Sequence, residues 1–218
     1  MIVPNFKSSR SFFNSLQKSL GDLQQKKIYG LLLHDEKDLH DAEMLNGLIK
    51  SKEYGYAEYI GASFYDLDFA LKAIVDYPID IIQIPFNVFD HRAQSSGILK
   101  TARDLNIKVF ARSPFLQGLV FMDSKEAFKQ INFPEIILDK WDALNNGCDE
   151  KKLTTALNYL VQKDSIESVV FGVDNIRQLK EILNIKNLPL NTLKSLTDTI
   201  EKEFNNIPNE YISPNKWK

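Results

Sequence analysis

The chain has 218 residues, 44% hydrophobic and 26% charged, with 8 Pro and 9 Gly, which suffices for one substantial core and excludes a disordered or collagen-like chain. Its 27 basic and 29 acidic residues are scattered along the sequence and sum to a net charge of −2, so no basic stripe is available to neutralise a nucleic-acid backbone, and nucleic acid is not an expected partner. One cysteine, Cys148, in an Asn-Asn-Gly-Cys-Asp setting, excludes an internal disulfide framework; with no neighbouring histidine or thiol, no metal is expected.

The opening run Met1-Ile-Val-Pro-Asn-Phe-Lys lacks the apolar core of a signal peptide. No apolar run approaches the roughly 20 residues that span a bilayer. The expected location is therefore the cytoplasm, with no membrane partner.

Along the chain, residues 11–23 place Phe12, Phe13, Leu16 and Leu20 on one stripe, which predicts a helix facing the core. Residues 28–33 form a short apolar run, a buried strand, and 39–52 return to helical spacing through Leu45, Leu48 and Ile49. The pairing then recurs: strand 59–62 with helix 66–76, strand 79–84 with helix 94–105, then strand 107–111. Asp66 is placed to cap its helix, and Tyr77-Pro78 stops it. From 119 to 150 the rhythm breaks into an inserted loop region with helices around 124–130 and 134–144. It resumes as helix 151–163, strand 168–171, a helix capped by Asp174 that runs to Leu183, and a last helix from Pro189 to about Asn205. Residues 206–218 read as a polar tail. Strand followed by helix, repeated without a hairpin signal, implies parallel strands with right-handed crossovers in one α/β domain over 1–218.

In such a sheet, ligands sit at the carboxyl ends of the strands. The residues that follow the five runs are His34-Asp35, Ser63-Phe64-Tyr65, Gln83 with Pro85-Phe86-Asn87, Arg112-Ser113-Pro114, and Gly172-Val173-Asp174.

Together with their flanks, these ends resemble the aldo/keto reductases. The matching stretches are Leu31-Leu32-Leu33-His34-Asp35, Ile60-Gly61-Ala62-Ser63-Phe64, Ile79 through Asn87, Ala111 through Gly118, and Val170-Phe171-Gly172 leading to Gln178-Leu179-Lys180-Glu181. Phe86 through Arg92 and the Phe115-Leu116-Gln117-Gly118 loop look most like a bacterial branch found beside surface-polysaccharide genes. The resemblance implies a (β/α)8 TIM-type barrel with parallel strands and outer helices, here partial and lacking the first two or three βα units. It also implies reduction of a small-molecule carbonyl to an alcohol with NADP(H), NAD(H) being the alternative.

By the same resemblance, His34 stands for the family's catalytic histidine. Ser63 and Gln83 stand for the residues that bind the nicotinamide carboxamide, and Arg112 lies under the ring, where a guanidinium plane can stack. Ser113, Phe115, Gln117 and Gly118 match the pyrophosphate loop, and Gly172, Val173, Gln178 and Glu181 the adenosine end. Many members carry arginine where Gln178 stands, which leaves the preference for NADPH open. The family's aspartate and tyrosine have no match, and Lys7 is one candidate for its lysine. The chain alone is therefore expected to be inactive, either as a fragment of a complete reductase, as a partial barrel completed through its exposed edges by another copy or chain, or as a noncatalytic nucleotide-binding module.

Read as residues alone, His34 could bond a neighbouring carbonyl, and Gln83 inside an apolar strand needs either a ligand or a satisfied core network. Arg112 could pair with Asp90, Gly172 could serve a tight turn, and His40 and His91 read as surface residues.

Overall fold

A computed structural model describes residues 9–217; Lys7 lies outside them. Its elements are α1 (Ser9–Asp22), β1 (Ile28–Leu33), α2 (Ala42–Glu53), β2 (Ala57–Ser63), α3 (Leu67–Asp76), β3 (Ile81–Pro85), α4 (Arg92–Ser95), α5 (Ile98–Asp104), β4 (Lys108–Arg112), α6 (Ser124–Ile131), α7 (Glu135–Leu144), α8 (Asp149–Val161), β5 (Ser168–Val170), α9 (Ile176–Leu183), α10 (Leu190–Glu203) and α11 (Asn209–Ile212). The sheet order is β1-β2-β3-β4-β5. Sequential parallel neighbours joined through helices are the topology of a partial (β/α)8 barrel. The described residues divide into two units, one drawn from Met1–Ile84 with Ala93–Phe110, the other from Pro85–Arg92 with Ala111–Lys218.

In the first unit, β1 pairs with β2 from Ile28↔Ala57 to Leu33↔Ala62, and β2 with β3 from Gly61↔Ile81 to Ser63↔Gln83. Gly61 makes the second pairing possible, because a Cβ there would lie 1.7 Å from the Ile81 carbonyl oxygen. On the expected stripe of α1, Phe12 and Leu16 are fully buried and Leu20 nearly so. Phe12 lies against Gly47 of α2, where a Cβ would come within 3.1 Å of its ring. Burying a phenyl ring of this kind stabilises by about 1.5–3 kcal/mol.

Short polar side chains set the helix starts. Asp41 Oδ1 accepts from the Glu43 and Met44 amides at α2. Asp66 Oδ1 accepts from Asp68 and Phe69 at α3, as its position predicts. The expected helix 39–52 is divided here, since residues Glu36–His40 form a 3₁₀ turn and Asp41 restarts the chain as a cap. The expected helix 94–105 is likewise two, α4 and α5, separated by Gly97 at φ 79°.

In the second unit, α6 and α7 occupy 119–150 at the expected places. Asn175, rather than Asp174, caps α9, accepting from the Arg177 and Gln178 amides. Two adjacent residues can each cap, and periodicity does not separate a one-residue offset. The segment 206–218 is more than a polar tail: it carries α11 and a 3₁₀ turn (Pro214–Lys216), and it buries Ile212. Arg92 Nη1 donates to Asn209 Oδ1 (2.7 Å), and Tyr211 packs on Phe133. Arg92 also grips the fully buried Asp90 through Nε–Oδ1 (2.8 Å) and Nη2–Oδ2 (2.6 Å). His91 departs from the surface reading as well. Its ring lies on Tyr159 at 5.6 Å, and burial holds its pKa below the ordinary value.

Gly61→Ala should destabilise the chain by at least about 1–3 kcal/mol, since the obstructing atom is backbone. Gly21→Ala, in α1 with nothing within 4 Å of the added carbon, should be neutral or stabilising by up to about 1 kcal/mol. Equal melting temperatures for the two variants would contradict the close-approach argument.

Candidate functional site

Parallel register brings three predicted residues to one level of the first unit. Leu33 pairs with Ala62 and Ser63 with Gln83, so His34, Ser63 and Gln83 occupy corresponding positions on three adjacent strands about 4.8 Å apart. Ser63 and Gln83 are 4% and 6% exposed. The Ser63 hydroxyl donates to Gln83 Oε1 (3.0 Å), which fixes the orientation of the amide. His34 is exposed. Beside it, Glu36 Oε2 accepts from the Tyr65 and Asp66 amides (2.7 and 3.2 Å) and ties the β1 and β2 loops together. The Asp38 carboxyl is held above its ordinary pKa by burial and by Asp35 and Asp41, against the opposing pull of His34.

The second unit contains a cavity of about 1340 Å³, above the roughly 300–1,000 Å³ usual for a drug-sized ligand. Ser113, Phe115, Gln117, Gly118, Gly172, Val173, Gln178 and Glu181 all line it. Arg112 ends β4 just before this stretch, and its Nη1 donates to Ser113 Oγ at 3.4 Å. Asp90, the carboxylate considered for it, is engaged by Arg92. The loop from Ser113 to Gly118 holds Ser113 (φ 58°), Leu116 (44°), Gln117 (55°) and Gly118 (86°) in the left-handed region. Each non-glycine residue there costs about 1–2 kcal/mol, and strain of this kind concentrates at ligand sites.

A family model for the aldo/keto reductase family matches residues 4–196. The chain belongs to that family. Its fold is similar to that of aldo-keto reductase AKR11C1 from Bacillus halodurans in the holo form, at 19% identity and TM-score 0.69, over 94% of this chain and 71% of that one. It is similar also to the glycerol dehydrogenase AKR11B4 from Gluconobacter oxydans, at 18% identity and TM-score 0.68, over 93% and 68%. A third likeness is to the thermostable aldo-keto reductase Tm1743 in complex with the inhibitor epalrestat, at 20% and 0.61, over 88% and 66%. No curated protein matches the chain.

In this aldo/keto reductase the start of α9 is already provided with acceptors. Asn175 takes the Arg177 and Gln178 amides, and Gln178 Oε1 takes the Asp174 amide (2.7 Å). These amides are therefore already taken within the chain. Arg177, Lys180 and Lys186 line the cavity, and none of them stands out in the sequence, because Arg177 and Lys180 fall on an amphipathic helix, whose charges read as a solvated face, and Lys186 in the irregular connector after it. The usable signal was their closeness to Gln178. Arg177 Nε is shared with Glu181 Oε1 (3.1 Å). Among the described residues, no three His, Cys, Asp or Glu side chains gather as a metal site requires, and no helix is long and apolar enough to cross a membrane.

Ser63→Ala removes a buried partner of the Gln83 amide and should lower stability by about 1–3 kcal/mol. Urea denaturation checks this, and an unchanged midpoint would show that the pair carries no net stabilisation.

Proposed function

We propose that the chain binds NADP(H), with NAD(H) as the alternative, and belongs to a reductase that converts a small-molecule carbonyl to an alcohol. One observation carries the reading: eight positions expected to touch the nucleotide, as far apart in sequence as Ser113 and Glu181, line a single cavity. The strained loop of residues 113–118 and the cations Arg177, Lys180 and Lys186 suit an anionic ligand. Glu181 occupies Arg177, so attraction for an additional phosphate rests mainly on Lys180 and Lys186.

When bound, the dinucleotide supplies hydride, and the protein's part is binding, orientation and proton handling. In the first unit, Ser63 and Gln83 offer a pre-oriented buried amide and hydroxyl suited to a carboxamide. Arg112, at the end of β4, offers a guanidinium plane to the ring. His34, exposed at the end of β1, is suited to donate a hydrogen bond to a carbonyl oxygen and so orient it. Turnover also requires the family's tyrosine, lysine and aspartate to act beside His34.

A second reading, a nucleotide-binding or self-associating module without turnover, is favoured by β1 and β5, each of which has one sheet neighbour among the described residues. Such edges invite association.

Titration with NADPH and with NADH, followed by nucleotide fluorescence, tests the proposal. Saturable enhancement by at least one of them is expected, and absence of binding to both would overturn it. Where the Asp, Tyr and Lys are supplied on additional βα units, His34→Ala should lower carbonyl turnover about 10²-fold and leave nucleotide affinity within twofold. An unchanged rate would remove His34 from the catalytic set. Binding without turnover, with dimers in light scattering, would favour the second reading.

A further inference from the structure

The connector between α9 and α10 lacks regular secondary structure over residues 185–189, yet its Ile185, Lys186 and Leu188 form part of the cavity wall. A wall without a helix or a strand ladder needs its backbone partners from elsewhere. The Ile185 amide turns back to the Ile182 carbonyl (3.3 Å) and the Pro189 carbonyl accepts from the Leu193 amide (2.9 Å); between them, Lys186 and Leu188 are served by one side chain on the neighbouring helix. Asn158 of α8 is 2% exposed; its Nδ2 donates to the Lys186 carbonyl (3.1 Å) and its Oδ1 accepts from the Leu188 amide (2.9 Å). The same Nδ2 donates to the Thr154 carbonyl (2.9 Å), and Thr154 itself lines the cavity. The carboxamide thus offers a donor and an acceptor to alternate residues, as an adjacent strand would.

We infer that Asn158 is a positioning residue for the nucleotide site, holding the connector at the depth that the ligand requires without touching the ligand. This rests on the nucleotide reading of the cavity. The amide suits the task chemically. Serine or threonine offers one short hydroxyl, which cannot reach two backbone groups two residues apart, and aspartate of the same shape accepts from Leu188 but opposes the Lys186 carbonyl with a second oxygen. The Asn158 amide is itself buried, so each lost bond removes a partner from a group held out of water.

The test compares the unaltered chain with Asn158→Asp and Asn158→Ala in NADPH and NADH titrations, alongside hydrogen exchange at the Leu188 amide. The unaltered chain should bind with Leu188 protected. Both variants should remain helical by circular dichroism, lose that protection and bind the nucleotide about 10-fold more weakly, equivalent to about 1.4 kcal/mol. If Asn158→Ala fails to fold, Asn158→Asp, which conserves volume, decides. Faster exchange at Leu188 with nucleotide affinity within twofold would overturn the inference while leaving the nucleotide reading intact. An unaltered chain that binds neither nucleotide would overturn both.

Discussion

What the first unit presents at its strand ends depends on the parallel register of β1, β2 and β3. Strand side chains alternate between faces, so a slip of one residue would move Ser63 away from Gln83 and reverse the direction of each. Gly61 guards that register, since its missing side chain admits the Ile81 carbonyl where any other residue would push the strands apart. The Ser63–Gln83 hydrogen bond is possible because the same pairing continues two residues further. Register therefore turns three residues separated in sequence into one row, and that row gives His34 its neighbours.

The second unit solves a different problem, the provision of a large cavity from loops together with faces of α8 and α9. Its loop after β4 departs from ordinary backbone geometry at four positions, and such a conformation persists only when its surroundings over-determine it. Leu116 and Leu119 are buried beneath it, and α8 packs alongside. Polar side chains on α8 reach outward to two other segments: Lys152 to Asp142 and Thr155 to Asn145 at the C-terminal end of α7, and Asn158 to the connector. Of these, the Asn158 contacts bear on the cavity wall itself, through Lys186 and Leu188.

Much of this was legible in the sequence because it follows from local periodicity. The apolar run Ile28–Leu33 coincides with β1, Asp66 caps α3 where its position predicts, and the ends of the apolar runs mark the strand ends. What escaped was long-range or offset by one residue. The order of 209–217 comes from Arg92 and Phe133, distant partners that no local pattern announces. Asp174 and Asn175 are equivalent as caps until the backbone direction is known. Arg177, Lys180 and Lys186 are exposed, and their place in the cavity lining, like the reach of Asn158 to the connector, follows from how α9 and the connector fold beside α8, which local periodicity does not encode.

The most direct measurement is a comparison of backbone amide resonances with and without saturating NADPH. The account predicts the largest shifts at Gln117, Gly118, Gly172 and Val173 of the cavity, with Tyr54 and Leu105, exposed just past the ends of α2 and α5, unmoved. Shifts confined to the outer helices, or none at any NADPH concentration, would contradict it.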